Sequence, residues 1–297
     1  MVNPWQQRDR IEKASPVGGR FECHLEINTS QAGQTAIDVL SAHTGLSRQA
    51  IKQAMHKGAV WLTRKRGTRR LRRADKLLQS KDRLHLYHDP KVLSMEPAVA
   101  RMIADEGGFS IWYKPFGMLS QGSKWADHCT ISRWVETHLR PQRPAFVVHR
   151  LDRAATGLMI IAHAKGVAAE FTAMFERREL EKTYTALVQG KVTEPQTVST
   201  PIGTKPAVSH VSPLAYDARR DISLLEVRIE TGRKHQIRQH LADAGHPIVG
   251  DRLFGESLPT EARDLCLTAS SLAFVSPIDG TQKRYELPAD LKLSLDP

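Results

Sequence analysis

A single aspartate is the strongest candidate for chemistry in this chain. Asp152 lies within residues 149–158, which read HRLDRAATGL, between apolar segments that end at Val148 and begin at Gly157. Such segments predict two strands, so Asp152 falls at a strand end or in the loop beyond it, where functional side chains concentrate. Taken alone, an aspartate in such a loop is more often a turn former. Its partners elsewhere in the chain therefore decide its interpretation.

A second candidate is Arg238, within residues 231–255, which read TGRKHQIRQHLADAGHPIVGDRLFG. The spacing of Ile237, Leu241 and Ala244 predicts a helix with one apolar stripe. Arg238 lies on a different side of that helix and is free to meet an acid. From this segment alone, it could equally be one more surface arginine.

Several other chemistries lack their sequence signatures. The patterns G-x-x-x-x-G-K-[ST], G-x-G-x-x-G, G-x-S-x-G and H-E-x-x-H are all absent. His235 and His240 are badly spaced for sharing a metal from one helical face, and are better suited to an RNA contact or a structural cap. The three cysteines form no C-x-x-C pair, which favours a reducing compartment over a disulfide framework or zinc site. We therefore expect neither a metal nor a cofactor.

The composition favours a polyanionic partner. Forty-three Lys and Arg residues against 32 Asp and Glu give a formal charge of +11, while 40% hydrophobic residues indicate a folded protein. The first residues contain no apolar core of signal-peptide length, and no later run reaches the roughly 18 apolar residues needed to span a bilayer. These features predict a cytoplasmic, nucleic-acid-binding protein.

The basic residues concentrate in the first third of the chain. Helical spacing over residues 34–45 and 47–58, with Ser47 as N-cap and Gly58 as C-cap, predicts two short helices. The second helix carries a basic stripe on its polar face, and residues 64–76 contain eight basic residues among thirteen. The candidate RNA contacts in these two places are Arg48, Lys52, His56, Arg64, Lys65, Arg66, Arg69, Arg70, Arg72 and Arg73.

The chain divides into four predicted parts. Residues 1–20 read as a flexible tail, 21–88 as a small α/β domain, 89–105 as a linker with two prolines, and 106–297 as one larger domain rich in strands. Strands are predicted at 59–62 and 82–87 in the small domain. In the larger domain, strands are predicted at 110–113, 146–151, 157–162, 184–188 and 224–229, and helices at 166–178 and 235–244.

Four segments together resemble the successive motifs of the RluA-type pseudouridine synthases. They are HRLDRAATGL, the preceding WYKPFGMLS (112–120), the later EKTYTALV (181–188), and TGRKHQIRQHLADAGHPIVGDRLFG; LTASSLAF (267–274) followed by Ser276-Pro277 fits the family's final strand. The match runs in order from about Phe109 to Pro288. Residues 23–87 also resemble the small RNA-binding domain named after ribosomal protein S-four.

The resemblance implies a fold and a set of roles. The fold would be mixed α+β, with a central, largely antiparallel sheet in the catalytic domain and a small RNA-binding domain before it. Asp152 would act on the uridine glycosidic bond, Arg238 would pair with it, and Tyr184 would pack against the uracil. Arg150 would enter the space left by the flipped uridine. The chain departs from the family at Ala155-Thr156, where Thr-Ser is usual.

The reaction explains why such residues suffice without a cofactor. Uridine becomes pseudouridine when the bond from the sugar to the ring nitrogen breaks, the uracil rotates and carbon 5 is joined to the sugar. A carboxylate can attack the anomeric carbon or stabilise an oxocarbenium-like state. If a glycal forms instead, Asp152 or Tyr184 could remove the neighbouring sugar proton. The residues leave both routes open.

Three functional hypotheses remain at this point. The amino-terminal RNA-binding domain favours large-subunit ribosomal RNA as the substrate of an isomerase that acts as a monomer. Transfer RNA is the alternative substrate. A non-catalytic RNA-binding or ribosome-assembly factor is the alternative outside enzymology, although binding alone would not need the set Asp152, Tyr184 and Arg238.

Overall fold

The amino-terminal part of the chain forms a four-stranded antiparallel sheet with two helices. The computed structural model describes residues 19–255 and 264–295; part of the expected tail, residues 1–18, lies outside them. The strand order in this sheet is β1-β4-β2-β3. The elements are β1 Phe21–Glu26, α1 Ala36–Thr44, α2 Arg48–His56, β2 Val60–Arg64, β3 Gly67–Arg70, β4 Arg83–His88 and the short helix α3 Pro90–Leu93.

Local sequence explains both long helices of this unit. The Thr35 and Ser47 hydroxyls accept N–H groups of the first turns of α1 and α2, as N-caps do. Gly58 follows α2 with φ +83°, the left-handed conformation that favours glycine after a helix. The apolar faces of both helices and of the sheet form one core that includes Leu40 and Ile51. The predicted pair of helices is therefore confirmed.

The arginine-rich run is more ordered than a loop. Its first part completes β2, turns at Lys65 with φ +55° and returns as β3, with Arg64 opposite Gly67 and Trp61 opposite Arg70. Strand pairing alternates the side chains between the two faces of the hairpin. The basic residues of the run therefore divide between partly buried positions, such as Arg70, and exposed ones, such as Arg69.

The larger unit is built on a ten-stranded sheet. Its main path is β10-β11-β12-β9-β13-β8-β6-β5, with β14 paired to β13 and β7 paired to β8. Its strands are β5 Arg101–Asp105, β6 Phe109–Lys114, β7 Phe146–Val147, β8 Thr156–Ala162, β9 Glu181–Gln189, β10 Gln196–Val198, β11 Ser209–Asp217, β12 Ile222–Ile229, β13 Leu267–Val275 and β14 Gln282–Glu286. Its helices are α4 Ile131–His138, α5 Lys165–Arg177 and α6 Gln236–Asp243, and a 3-10 turn spans Ala289–Leu291.

The sheet is antiparallel except at its centre, where β8 and β13 run parallel. Buried apolar residues of β8, β6 and α5 pack together, including Ile160, Phe109 and Phe171. A second cluster joins β9, β12 and α6 through residues such as Val227 and Leu241. This arrangement confirms the mixed α+β fold.

The structure differs from the sequence expectation between the two units. Residues 89–105 were expected to be a linker, yet Arg101–Asp105 is strand β5, paired with β6. Gly122–Cys129 packs with the small unit, although sequence placed it in the larger domain. The small unit thus comprises the described residues up to Pro97 with Gly122–Cys129, and the larger unit comprises the rest.

Two further observations concern the part of the chain that the structure describes. No helix in it is both long and apolar enough to cross a membrane. Within the same residues, no group of three or more His, Cys, Asp or Glu side chains is arranged to hold a metal ion.

Candidate active site

Asp152 lies in the loop between β7 and β8, at the mouth of a small pocket. Its side chain is 26% exposed, so it is neither buried nor fully solvated. One carboxylate oxygen lies 3.5 Å from a terminal nitrogen of Arg238, and the other lies 3.7 Å from Nε2 of His235. The pocket has a volume of about 90 Å³, and Tyr184 and Arg150 also line it. The structure thus brings together five residues from three separate sequence motifs.

The backbone beside Asp152 is fixed by the segment that follows β6. The Ser120 hydroxyl donates to the Leu151 carbonyl at 2.7 Å and accepts the Leu151 N–H at 3.0 Å. On the other side of Asp152, the Gly117 N–H donates to the Arg153 carbonyl at 3.0 Å. Because both neighbours of Asp152 are held, the loop can present the carboxylate without rearranging.

Lys114 contributes a third contact to this loop from the interior. It is fully buried, and its Nζ donates to the carbonyls of Met118 at 2.9 Å, Pro115 at 3.1 Å and Arg153 at 3.3 Å. Burial lowers the pKa of Lys114 to about 7, against the opposing attraction of the Asp152 carboxylate. Lys114 therefore ties the segment after β6 to the loop that carries Asp152.

Arg238 is oriented by an acid that the sequence reasoning assigned no role. Its Nε and one terminal nitrogen donate to the two carboxylate oxygens of Asp251, at 2.7 and 2.6 Å. This bidentate pair leaves the other terminal nitrogen facing Asp152. The Asp251 side chain is fully buried and also accepts the N–H groups of Leu253 and Phe254. The signal was present in the segment GDRLFG, as an acid beside a glycine in the same motif as Arg238.

Charge balance explains how Asp251 remains ionised in the interior. Burial alone would raise the pKa of its carboxyl, but hydrogen bonds from Arg238 and from the two backbone N–H groups hold that pKa below its usual value. The same hydrogen bond raises the pKa of Arg238. The pair is therefore a fixed ionic support behind the Asp152 carboxylate.

His235 and His240 lie in different surroundings. His235 precedes α6 with φ +58°, makes no side-chain cap, and faces Asp152. Burial lowers its pKa, although Asp152 opposes that shift. His240 is a structural residue, since its ring hydrogen-bonds the Ser209 hydroxyl and the Thr200 carbonyl. His235 was missed because its approach to Asp152 depends on the backbone turn before α6.

Tyr184 lies on β9 and forms one wall of the pocket. Burial, and then the charge of Asp152, raise the pKa of its hydroxyl far above the ordinary value. Its side chain therefore stays neutral at physiological pH and presents an aromatic face with a hydroxyl that keeps its proton. Arg150, by contrast, is exposed, and its guanidinium has no hydrogen-bond or ion-pair partner among the described residues.

The unusual Ala155-Thr156 pair is accommodated in the structure. Ala155 is buried in the core that includes Ile237, and the Thr156 hydroxyl is hydrogen-bonded to the Thr268 hydroxyl at 2.7 Å. Gly157 follows with φ +114°, and a Cβ there would lie 2.3 Å from the Ala269 carbonyl oxygen. The segment after Asp152 is therefore held firmly against β13.

The candidate RNA contacts of the small unit fall into two groups. The first group is engaged within the unit: Arg64 with Asp82 at 2.6 Å, Arg70 with Asp127 at 2.9 Å, Arg72 with Asp127 at 2.6 Å, Arg73 with Asp75 at 3.1 Å, and Arg48 with Asp38. The second group is exposed, and its side chains make no hydrogen bond or ion pair with any residue that the structure describes: Lys52, His56, Lys65, Arg66 and Arg69. Arg48 and Arg73 are exposed despite their ion pairs.

Comparison with known proteins points to one family. Residues 108–243 match the family described as RNA pseudouridylate synthase. The tRNA pseudouridine synthase C of Vibrio cholerae is 33% identical over 198 residues, which cover 55% of this chain and 80% of that protein. The ribosomal large subunit pseudouridine synthase D of the same organism is 32% identical over 169 residues, covering 48% of this chain and 52% of that protein.

A solved structure shares the fold. Human RNA pseudouridylate synthase domain containing 1 superposes with a TM-score of 0.55 at 23% identity, over 65% of this chain and 86% of that one. At that identity the likeness concerns the fold alone.

Proposed function

The chain belongs to the RNA pseudouridine synthase family and is therefore an isomerase; from that premise we propose that Asp152 is its catalytic group and large-subunit ribosomal RNA its substrate. The observation that carries the assignment is the Asp152 carboxylate, held 3.5 Å from Arg238 in a pocket with Tyr184 on its wall. A carboxylate, a cation and an aromatic face match the needs of the reaction.

The proposed reaction needs only the atoms of the substrate and these side chains. The uridine leaves the RNA stack, and Arg150 fills the vacated space; loss of stacking costs a few kcal/mol. The bond from the sugar to ring nitrogen 1 breaks, and its electron pair stays on the uracil. After rotation, carbon 5 bonds to the sugar, the hydrogen on carbon 5 leaves as a proton, and nitrogen 1 gains a proton. Atoms and charge balance without redox change.

The state of Tyr184 bears on which group handles the sugar. On a covalent route, the Asp152 carboxylate attacks the anomeric carbon and later leaves it. On a glycal route, a base removes the neighbouring sugar proton. Because the raised pKa of Tyr184 keeps its hydroxyl protonated at neutral pH, the deprotonated form that could act as the base is scarce. Asp152 is the favoured group on both routes, with Tyr184 as the wall that the uracil packs against.

Ribosomal RNA is favoured over transfer RNA by the small unit. Two helices followed by a basic hairpin support an S-four-like RNA-binding domain, and its exposed Lys52, Lys65, Arg66 and Arg69 are suited to phosphate contacts. The two curated relatives divide between ribosomal and transfer RNA, so transfer RNA is the second candidate. We propose that the protein acts in the cytoplasm, in keeping with a sequence that has three widely spaced cysteines and no C-x-x-C pair.

Mapping pseudouridines in total RNA tests this function. Carbodiimide labelling of RNA from strains with and without the gene should show loss of a pseudouridine in large-subunit ribosomal RNA. Loss confined to transfer RNA would establish the alternative substrate, and an unchanged pattern would favour a non-catalytic RNA-binding factor. A plasmid copy carrying Asp152→Asn should not restore the missing pseudouridine; restoration would contradict the role of Asp152.

A further inference from the structure

A second, larger pocket adjoins the Asp152 pocket. Its volume is about 670 Å³, and Arg150, Tyr184 and Arg233 line both pockets. Its other charged residues are two cations, Arg178 and Lys182, and two acids, Glu176 and Glu230. Glu230 already accepts a hydrogen bond from His210 at 2.8 Å. The pocket therefore carries an excess of positive charge next to the site of reaction.

Lys182 is the most informative of these cations. Its residue is only 8% exposed, yet its ammonium has no hydrogen bond or ion pair with any described residue. The nearest aromatic contact is the Phe175 ring, whose centroid lies 5.8 Å away. Burial, and then the charge of Arg178, lower the pKa of Lys182. A buried cation without a counter-charge costs stability, so an anion from outside the chain would be its natural partner.

Arg178 is unusual in its backbone rather than its burial. It ends α5 with φ +60°, a left-handed conformation in which glycine is the ordinary residue. Its guanidinium has no partner in the described part of the chain, and it lines the pocket beside Lys182. An arginine at this helix end gains some energy from the helix dipole, but the backbone geometry alone would favour glycine.

The position of the two cations relative to Tyr184 indicates the ligand. Lys182 and Tyr184 are two residues apart on β9, so their side chains project on one face about 7 Å from each other. That separation suits a uracil ring and a phosphate flanking the same nucleoside. We propose that Lys182 and Arg178 bind the RNA backbone phosphate next to the flipped uridine. This assignment rests on the proposed function and deepens it.

Two variants separate this role from a structural one. Lys182→Met keeps the length of the side chain and removes a buried, unpaired charge, so the melting temperature should stay the same or rise. Arg178→Gly places the favoured residue in the left-handed conformation, so the helix end should be retained. If the two cations stabilise the fold, both substitutions should lower the melting temperature. If they bind the phosphate, both should weaken RNA binding and leave the melting temperature unchanged or higher.

The measurement is release of tritium from RNA labelled at carbon 5 of uridine, with RNA taken from a strain that lacks the gene. Each variant should raise KM about tenfold, which corresponds to about 1.4 kcal/mol, because one charge-assisted hydrogen bond to the phosphate is lost. Each should leave kcat little changed and reduce the slope of log KM against log salt by about 0.7 to 0.9. Lys165→Met is the control, because Lys165 is an exposed cation at the other end of α5.

The outcomes distinguish the two proposals. No tritium release by the wild-type protein would overturn the proposed function, and the phosphate assignment with it. Release by the wild-type protein, with Lys182→Met and Arg178→Gly matching Lys165→Met in KM and salt slope, would overturn the phosphate pocket alone. A lowered melting temperature with an unchanged salt slope would also contradict it.

Discussion

At the scale of single residues, the orientation of Arg238 toward Asp152 depends on a second acid, Asp251, which does not line the Asp152 pocket. Asp251 occupies two donors of Arg238 and thereby directs the remaining one toward Asp152. Without Asp251, Arg238 would be free to swing and form a closer pair with Asp152, and its angle would no longer be fixed. Asp251 is thus a positioning residue.

Replacing Asp251 tests this arrangement. Asp251→Asn should lower kcat by about a hundredfold with a much smaller change in KM, because the misplaced group acts on the chemical step rather than on RNA binding. Asp243→Asn provides a control, since Asp243 is an exposed acid at the end of α6, the helix that carries Arg238. Equal kinetics for the two variants would show that Arg238 needs no support from Asp251.

The residue before Arg150 gives the site a pH-dependent stability. His149 accepts the Ile160 N–H on Nε2 at 2.9 Å and stacks on Phe175, and burial lowers its pKa to about 3. In the unfolded chain the imidazole takes up a proton near its ordinary pKa of about 6.5. The unfolded state therefore binds more protons between these two values, and the free energy of unfolding falls as the pH drops from about 6.5 toward 3.

His149→Gln should remove this part of the acid sensitivity. The glutamine carbonyl oxygen can still accept the Ile160 N–H, but it does not titrate. Denaturant unfolding at pH 7 and pH 4 should therefore show a smaller loss of stability for the variant than for the wild-type protein. The same loss in both proteins would mean that other groups carry the whole effect.

The sequence singled out the candidate reactive residues more readily than the residues that contact them. Asp152 and Arg238 stood out because their motifs carry unusual side chains in a fixed order. Ser120, Asp251 and His235 did not, because their roles arise from contacts between distant parts of the chain and from one backbone turn. Such contacts produce no repeating pattern of residue types that can be recognised in a single sequence.

At the scale of elements, the parallel pairing of β8 and β13 fixes where the loop that carries Asp152 ends. Thr156 and Gly157 lie opposite Thr268 and Ala269, and the two backbones approach closely at Gly157. Only glycine fits there, because it tolerates φ +114° and brings no Cβ against the Ala269 backbone.

Gly157→Ala should destabilise the larger unit by about 3 kcal/mol or more, through both backbone strain and overpacking. Gly166→Ala is the matched control, since nothing lies within 4 Å of a Cβ at that position in α5. The control should gain about 0.5–1 kcal/mol from its higher helix propensity. Thermal or denaturant unfolding of the two variants measures both changes; similar stabilities would contradict the close approach of β8 and β13.

The elements that sequence missed have identifiable physical causes. The strand β11 contains Pro213, which argues against a strand, and the structure accommodates it with a register shift between Pro213 and Ala215. The strand β5 lies at the edge of the sheet and pairs only with β6 among the described strands. Its Met102 is 46% exposed, so the sequence of β5 does not alternate between buried apolar and exposed polar residues. The strongly periodic helices α1, α2, α5 and α6 were predicted within a few residues.

At the scale of the whole molecule, the basic residues that give the net charge of +11 do not all have the same surroundings. Arg72 donates to Asp127 at 2.6 Å and to the His56 carbonyl at 2.6 Å, so it belongs to the packing of the small unit. Arg66 and Arg69 are exposed on the hairpin of the same unit. One basic run in the sequence therefore contains both arginines that stabilise the small unit and arginines that remain exposed to solvent.

Matched substitutions should separate these two uses of arginine. Arg72→Ala should lower the free energy of unfolding by about 2 kcal/mol, because it leaves a half-buried carboxylate short of a partner. Arg66→Ala together with Arg69→Ala should leave stability nearly unchanged and weaken RNA binding with a reduced salt dependence. Fluorescence anisotropy with ribosomal RNA and denaturant unfolding measure the two effects; a reversed pattern would contradict this division.

The central claim is that this isomerase works through the carboxylate of Asp152. Its most direct test compares tritium release from RNA labelled at carbon 5 of uridine by the purified wild-type protein and by Asp152→Asn. The wild-type protein should release tritium, while the variant should release none and still bind the RNA with similar affinity. Release at a comparable rate by Asp152→Asn would contradict the account.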